Sequence, residues 1–272
     1  MSALNLAGRR LVVTGVLTRS SIAFAVADRA QRLGAELVLT GFGRRLRMTE
    51  RAAAALPSPA PIVELDVNSP DDLAALAGRV GAHAPTVDGV LHSIAFAPES
   101  AVTGDFTDTA VDVTSATFIT SAHSLESLVH ALRPLMSEAA APGASVVAVD
   151  SDASQAWPGY DWLGVAKAGL EGFSRQLACD MAADRIRVNM VAAGPVRTPA
   201  ATGVPVFKRL LAFWERSAPL GWRGDEIDAI ADAACFLLSP WSAGITGDRL
   251  HADGGMHALG LSDAPMGVSE VP

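Results

Sequence analysis

The regular alternation of short apolar segments with stretches of helical periodicity constrains the fold of this chain more than any other feature. Most of these segments lack the polar alternation of a half-exposed strand, which indicates strands buried on both faces. Such strands, separated by helices, are typical of a parallel sheet covered by helices on both sides. We therefore expect an α/β fold, doubly wound, with about seven parallel strands, formed by residues 1–272 as a single domain.

The predicted elements follow one another without a linker. Strands are expected at residues 10–14, 36–40, 61–65, 87–94, 145–149, 187–191 and 249–252. Helices are expected at 21–33, 45–56, from Ser69 onward, 111–136, 160–183, 207–216 and 225–238. The segment 260–272 is rich in Ser, Asp, Pro and Gly, so we expect a tail that is loose or bound at an interface.

Charge and composition exclude several classes of function. The net charge of -8 argues against a nucleic-acid partner, because phosphate binding requires a basic surface. The two cysteines, Cys179 and Cys235, lie in apolar helical patterns, and the six histidines form no ligand cluster, so no metal site or disulfide is expected. The N-terminus lacks the pattern of a signal peptide, and no apolar run is long enough to span a membrane. We expect a cytoplasmic protein.

Small and polar residues follow several of the predicted strands. In a doubly wound sheet, ligands bind at the carboxyl ends of the strands. Four turns fall there: the segment from Gly15 to Ser21 and Ile22, Asp66 with Val67, Ser93 with Ile94 and Ala95, and Ala193-Gly194-Pro195-Val196-Arg197-Thr198. The first could present the N–H groups of a helix to a pyrophosphate, with Ser20 or Ser21 as the cap. Asp66 could accept a hydrogen bond from an adenine, or could simply cap a helix. Each turn alone is compatible with an ordinary connection.

A tyrosine and a lysine stand seven residues apart in a chain that is poor in both. Tyr160 is the only tyrosine, and Lys167 is one of two lysines, with Lys208. On a helix this spacing places both side chains on one face. A nearby ammonium lowers the pKa of a phenol, which suits a proton donor or an oxyanion donor. The alternative is a core tyrosine and a surface lysine.

These motifs resemble the short-chain dehydrogenase/reductase superfamily, over about residues 5–258. Within it the chain is similar to the NADH-dependent enoyl-acyl-carrier-protein reductases of the mycobacterial type. The similarity rests on the motifs named above, on Leu39-Thr40-Gly41-Phe42, on Leu65-Asp66-Val67, on His92-Ser93-Ile94, on Thr246-Gly247-Asp248, and on Ala252-Asp253-Gly254-Gly255. Carbonyl-reducing members typically have Tyr-x3-Lys and a serine about thirteen residues before the tyrosine. Here the spacing is Tyr-x6-Lys, as in the enoyl reductases, and the earlier position is Val147.

The resemblance implies a Rossmann fold and a set of roles. Tyr160 and Lys167 would be catalytic, with Tyr160 donating to the thioester carbonyl of a trans-2-enoyl substrate. Ser151, Trp157 and Phe207 would line the substrate pocket. NADH would be held by a larger set, namely Gly15, Ser21, Ile22, Phe42, Asp66, Val67, Ser93, Ile94, Lys167, Gly194, Pro195, Val196 and Thr198. The substrate would be carried on acyl-carrier protein or CoA. The helices around 111–136 and 160–183 would form the core of a homotetramer.

Three departures from the family pattern bear on the substrate. The aromatic residue that the family carries just after the fifth strand is replaced within Asp150-Ser151-Asp152. The substrate-binding loop, 199–217, is shorter, and the family's Ser-Ile-Gly turn ends in Ala95. We expect altered acyl specificity, as in a secondary-metabolite enzyme; neutral drift in a fatty-acid enzyme is the alternative.

Two arginines bear on the cofactor. The second strand lacks the acidic residue that binds a ribose 2′-hydroxyl, and Arg44 and Arg45 follow Phe42 instead. Arginines there could hold a 2′-phosphate, which makes NADPH the alternative to the predicted NADH. An acidic carrier would need a local basic landing patch, and scattered exposed arginines are the more common alternative. The candidates for the patch are Arg44, Arg45, Arg47, Lys208, Arg209 and Arg216.

Two other functions remain open from the sequence. One is a carbonyl or imine reductase of the same superfamily. The other is a non-catalytic dinucleotide-binding regulator on a reductase scaffold, which the altered pocket favours and the retained Tyr160 and Lys167 disfavour.

Overall fold

A computed structural model describes residues 4–260 as a seven-stranded parallel sheet flanked by helices. The strands are β1 (Arg10–Val13), β2 (Glu36–Gly41), β3 (Ile62–Glu64), β4 (Gly89–His92), β5 (Ser145–Asp150), β6 (Arg187–Ala193) and β7 (Arg249–Ala252). Their order is β3-β2-β1-β4-β5-β6-β7, and every neighbouring pair is parallel. The predicted α/β fold is confirmed. The part of the predicted loose tail beyond residue 260 lies outside the described residues.

The chain reverses direction across the sheet between β1 and β4. From β1 it builds outward through β2 to β3, then returns to β4 on the other side of β1. A crevice forms at such a reversal, because the connections that leave the two adjacent strands run to opposite faces. The predicted turns after β1 and β4 meet at this point.

The helices are α1 (Ile22–Arg32), α2 (Leu46–Ala53), α3 (Pro70–Gly81), α4 (Val111–Phe118), α5 (Ser124–Met136), α6 (Asp161–Asp180), α7 (Pro199–Thr202), α8 (Phe207–Ser217) and α9 (Ile227–Leu238). Ser69 caps α3 as predicted, accepting a hydrogen bond from Asp72 N at 3.2 Å. The helix predicted over 111–136 is interrupted by a π-helical turn, Ile119–His123. None of the helices in the described part of the chain is long and apolar enough to cross a membrane.

The sheet separates two hydrophobic cores. In β5, Val147 and Val149 pack into one core and Val146 and Ala148 into the other. Successive strand residues point to opposite faces, so a strand that is covered on both sides is apolar throughout. This is the physical basis of the unbroken apolar runs in the sequence.

Candidate functional site

Two cavities open at the carboxyl ends of the strands and share Ile22 and Thr198 in their walls. The larger, of about 870 Å³, follows the crevice between β1 and β4. Its walls contain ten of the predicted cofactor-binding residues, namely Gly15, Ser21, Ile22, Phe42, Asp66, Val67, Ser93, Ile94, Lys167 and Thr198. The smaller, of about 120 Å³, is lined by the other three, Gly194, Pro195 and Val196, and by Tyr160.

The turn after β1 requires glycine at position 15. Gly15 has φ +84°, and a Cβ there would lie 2.1 Å from the carbonyl oxygen of Ser93. Thr14 ties the two strand ends together, because its hydroxyl donates to Leu91 O at 3.0 Å and accepts from Ser93 N at 3.0 Å. The backbone at Gly15 therefore packs directly against the backbone at Ser93, and both residues line the large cavity.

The cap predicted for α1 is only partly correct. Ser21 occupies the N-cap position, but its hydroxyl donates to Thr18 O rather than accepting from the first turn of the helix. No acidic residue lies in that first turn. The N-terminus of α1 thus faces the large cavity without a side-chain anion, and its partial positive charge favours an anionic group.

Asp66 does not cap a helix at the far end of the large cavity. Its carboxylate accepts from the backbone N–H and the side-chain amide of Asn68, at 2.9 and 3.3 Å. Phe42 lies in the same wall, and the guanidinium of Arg45 is 6.0 Å from the centre of its ring. Arg44 and Arg45 both line this end of the cavity.

Residues of the π-helical turn also line the large cavity, and the sequence patterns did not reveal them. Ile119 and Thr120 lie in its wall. The Ser121 hydroxyl accepts from Phe96 N at 2.9 Å and donates to Phe96 O at 2.8 Å, which fastens the turn to the loop after β4. Such turns recur at functional sites, but their hydrophobic spacing is almost that of a continuous helix.

Lys167 is buried, and its charge interacts with that of Asp150. Its ammonium donates to Val149 O at 2.8 Å. Neither carboxylate oxygen of Asp150 has a hydrogen-bond partner within residues 4–260. Burial lowers the pKa of Lys167, and the charge of Asp150 opposes that change. Burial raises the pKa of Asp150 to about 6, although the charge of Lys167 lowers it.

The predicted effect of Lys167 on Tyr160 is wrong. Tyr160 precedes α6 instead of lying in it, so the two side chains do not occupy successive turns of one helix face. Burial raises the pKa of Tyr160, the nearby Ser151 hydroxyl lowers it in part, and the charge of Asp150 raises it further. No hydrogen bond links Tyr160 to Lys167 or Ser151 in the described chain. The phenol therefore keeps its proton at neutral pH.

The small cavity has aromatic walls. Trp157 and Phe207 line it as predicted, together with Trp214, whose ring centre lies 4.9 Å from that of Trp157. The Trp157 indole donates to Asp152 O at 2.8 Å, which fixes the loop after β5. Trp214 was not predicted, although its spacing from Phe207 and Leu210 along α8 places all three on one helix face.

Asp152 belongs to a charged cluster beside this cavity. Its carboxylate lies 3.1 Å from Arg249 Nη1 and 3.4 Å from His251 Nε2. The rings of His251 and His257 stack at 3.8 Å, and His257 Nδ1 lies 3.0 Å from Asp253 Oδ1. The side chain of Asp152 is therefore engaged with β7, while Asp150, Ser151 and Asp152 all line the small cavity. Among residues 4–260, no group of three or more His, Cys, Asp or Glu side chains could hold a metal ion.

Comparisons with known proteins point to one family. A family model described as enoyl-(acyl carrier protein) reductase matches residues 15–257. The chain is 40% identical to the enoyl-[acyl-carrier-protein] reductase [NADH] of Mycolicibacterium smegmatis, over 92% of this chain and 96% of that protein. It is 37% identical to the NADPH enzyme of the same description from Staphylococcus aureus, over 94% and 99%. It is 33% identical to the NADH enzyme from Escherichia coli, over 95% and 97%.

Proposed function

The chain belongs to the enoyl-acyl-carrier-protein reductase family, and from that membership we propose that it reduces the trans-2 double bond of an enoyl thioester with NADH. One observation carries the proposal. A dinucleotide-sized cavity lined by the cofactor residues that the family predicts meets, at Ile22 and Thr198, a smaller cavity that contains Tyr160. A cofactor in the first cavity and a thioester in the second would meet at that junction.

The large cavity fits a dinucleotide. Its volume of about 870 Å³ lies within the range of ligand sites. Gly15 leaves the space that a Cβ would fill, and α1 directs its N-terminus at the cavity. When bound, the reduced nicotinamide supplies a hydride for the β-carbon of the substrate. Lys167 would hold the ribose hydroxyls, and the segment from Gly194 to Thr198 would hold the nicotinamide amide and the pyrophosphate.

Tyr160 would act as a neutral donor. Because burial raises its pKa, the phenol carries the proton that an oxyanion donor needs. Its hydrogen bond to the thioester oxygen strengthens as that oxygen gains enolate charge, and donors of this kind lower a barrier by about 3–4 kcal/mol. Asp150 would keep Lys167 charged and in place.

NADPH is the second candidate cofactor, and the two arginines at the end of the large cavity favour it. Arg44 and Arg45 are exposed and line the wall beside Phe42. A guanidinium pair there suits a 2′-phosphate. The relatives of the NADH type keep NADH as the principal proposal.

The exposed surface bears on the partner and on the assembly. The six basic side chains at positions 44, 45, 47, 208, 209 and 216 are all exposed, which suits contact with an acidic acyl-carrier protein; CoA is the other carrier. An apolar surface at Val111, Phe118, Ile119 and Val165 is exposed on α4, the π-helical turn and α6, which suits burial in a homotetramer. We place the protein in the cytoplasm.

Turnover of enoyl thioesters tests the proposal directly. Loss of nicotinamide absorbance is followed with crotonyl, octenoyl and dodecenoyl thioesters of CoA and of carrier protein, using NADH and NADPH. We expect the wild type to turn over and Tyr160→Phe to be slower by a factor on the order of 100. No turnover on any enoyl thioester, with cofactor still bound, would defeat the proposal. In that case ketone or imine substrates separate a carbonyl reductase from a non-catalytic dinucleotide-binding protein.

A further inference from the structure

The hydroxyl of Ser151 is buried and has no hydrogen-bond partner within residues 4–260. It lies in the wall of the small cavity together with Tyr160. A buried donor without a partner is costly and rare in native proteins, and such groups recur where a ligand completes the hydrogen bonding.

The loop that carries Ser151 is held on both sides. Asp150, the residue before it, pairs with Ala192 in the register of β5 and β6. Ala153 N donates to the carboxylate of Glu171 at 3.1 Å, and the Trp157 indole donates to Asp152 O at 2.8 Å. These contacts fix the backbone around Ser151, a residue of the small cavity's lining.

We infer that Ser151 donates a second hydrogen bond to the substrate carbonyl oxygen, beside Tyr160. The inference rests on the proposed enoyl-thioester activity and assigns one further residue to it. The influence of the Ser151 hydroxyl on the pKa of Tyr160 supports the closeness of the two groups.

During the reaction, negative charge develops on the carbonyl oxygen to which both hydroxyls would donate. As hydride arrives at the β-carbon, the π electrons of the double bond move toward the carbonyl, and its oxygen becomes an enolate oxygen. Tyr160 and Ser151 each donate a hydrogen bond to that oxygen without transferring a proton. The enolate then collapses, the α-carbon takes a proton from water, and the saturated thioester forms. Two donors would then share the charge on this oxygen.

Variants at position 151 test the inference, with Ser174→Ala as the matched control. Ser174 is also buried and its hydroxyl also lacks a partner in the described chain, but it lies in α6 outside both cavities. With crotonyl-CoA and NADH we expect Ser151→Ala to lower kcat by a factor on the order of 100, with KM changed much less. Ser151→Thr restores the hydroxyl and should recover most of kcat. Ser174→Ala should leave both parameters within about twofold, since it removes the same atom where no substrate can reach.

Ionisation of Tyr160 provides a readout that does not depend on turnover. Tyr160 is the only tyrosine, so phenolate absorbance during an alkaline titration reports on it alone. Because the Ser151 hydroxyl lowers the pKa of Tyr160, Ser151→Ala should raise it and Ser174→Ala should leave it unchanged. Circular dichroism recorded alongside restricts the titration to folded protein.

The possible outcomes separate this inference from the proposed function. If the wild type turns over and Ser151→Ala has wild-type kcat, only the inference fails. If Ser151→Ala and Ser151→Thr lose activity equally, with NADH affinity also lost, the role is structural and the inference fails too. If the wild type reduces no enoyl thioester, the proposed function fails and takes the inference with it.

Discussion

The ammonium of Lys167 is 2.8 Å from the carbonyl oxygen of Val149, and the next residue of the chain is the buried Asp150. The lysine is thus anchored by the end of β5, and Asp150, whose charge raises the pKa of Lys167, is the last residue of that strand. Its position does not depend on Tyr160. The charge state of Asp150 therefore controls how readily Lys167 stays protonated.

Asp150→Asn should change both the acidic and the alkaline limb of the pH profile of kcat/KM. In the wild type the Asp150 carboxyl, with a pKa of about 6, becomes neutral as the pH falls, and Lys167 then loses its counter-charge. We expect kcat/KM to fall below about pH 6 in the wild type, and this acidic limb to be absent in Asp150→Asn. Because Asp150 also raises the pKa of Lys167, its removal should move the alkaline limb to lower pH.

Profiles of kcat/KM from about pH 5 to about pH 9 check this expectation. Asp152→Asn is the control, since that carboxylate pairs with Arg249 and His251 and does not face Lys167. Superimposable profiles for the wild type and Asp150→Asn would contradict the assigned role.

His92 should make the fold sensitive to acid. The ring is fully buried, with Nε2 2.8 Å from the Ser124 hydroxyl. Burial lowers the pKa of His92 to about 3, and the charge of Lys167 adds to this. His92 takes up a proton below about pH 6.5 in the unfolded chain, but only near pH 3 in the folded chain. Its contribution to the free energy of unfolding is therefore complete above pH 6.5 and is lost as the pH falls toward 3. Between pH 7 and pH 5 this loss is about 2 kcal/mol.

Urea unfolding of the wild type and of His92→Gln at about pH 7 and about pH 5 measures this contribution. Glutamine is neutral at both pH values and keeps a hydrogen-bonding group for Ser124. We expect the free energy of unfolding of His92→Gln to fall by about 2 kcal/mol less than that of the wild type between the two conditions. An equal fall in both proteins would mean that His92 is protonated in the folded state.

Gly15→Ala should damage the dinucleotide cavity. A Cβ at Gly15 would lie 2.1 Å from Ser93 O, and φ is +84°, so the turn after β1 must move away from β4. We expect the affinity for NADH to fall at least about tenfold and stability to fall by about 1–3 kcal/mol. Gly78→Ala is the control, because Gly78 is exposed within α3 and a Cβ there meets nothing within 4 Å. That variant should be stabilised by about 0.5–1 kcal/mol with unchanged NADH affinity.

Titration of intrinsic tryptophan fluorescence with NADH, together with urea unfolding, measures both quantities. Unchanged affinity in Gly15→Ala would show that the turn does not contact the cofactor.

The sheet and the turns at its carboxyl edge could be predicted from the sequence because both are local properties. Apolar runs such as that of β5 identify strands buried on both faces, and Gly15 and Gly194 identify turns that need small residues. The parallel arrangement then brings the turns together without any further information. This is why every predicted cofactor-binding residue lines one of the two cavities.

The surroundings of Tyr160 could not be predicted in the same way. Whether a residue lies in the first turn of a helix or just before it depends on local geometry that periodicity does not resolve, and here Asp161 begins α6 with φ +42°. Trp214 and His257 reach the small cavity from segments far along the chain, so only tertiary packing places them there. The pKa of Tyr160 depends on burial, on Ser151 and on Asp150, and a spacing of seven residues says nothing about any of them.

Arg44 and Arg45 should decide between the two nicotinamide cofactors. Both line the end of the large cavity, and no salt bridge within residues 4–260 engages either of them. Their donors are therefore available to a 2′-phosphate, which NADPH carries and NADH lacks. We expect the double variant Arg44→Ala/Arg45→Ala to bind NADPH at least about tenfold more weakly, while its affinity for NADH changes by less than about threefold.

Calorimetric titration of both cofactors checks this prediction without any substrate, and repetition at higher salt should reduce the NADPH difference, because the attraction is between exposed charges. Arg47→Ala is the control, since Arg47 is exposed nearby but does not line the cavity. A double variant that loses affinity for NADH and NADPH equally would assign the arginines to the adenine or the pyrophosphate and remove the argument for NADPH. A double variant that binds both cofactors as the wild type does would show that the arginines are not needed for cofactor binding. Their remaining proposed role is contact with the carrier protein. The salt dependence of turnover with a carrier-bound substrate would test that role.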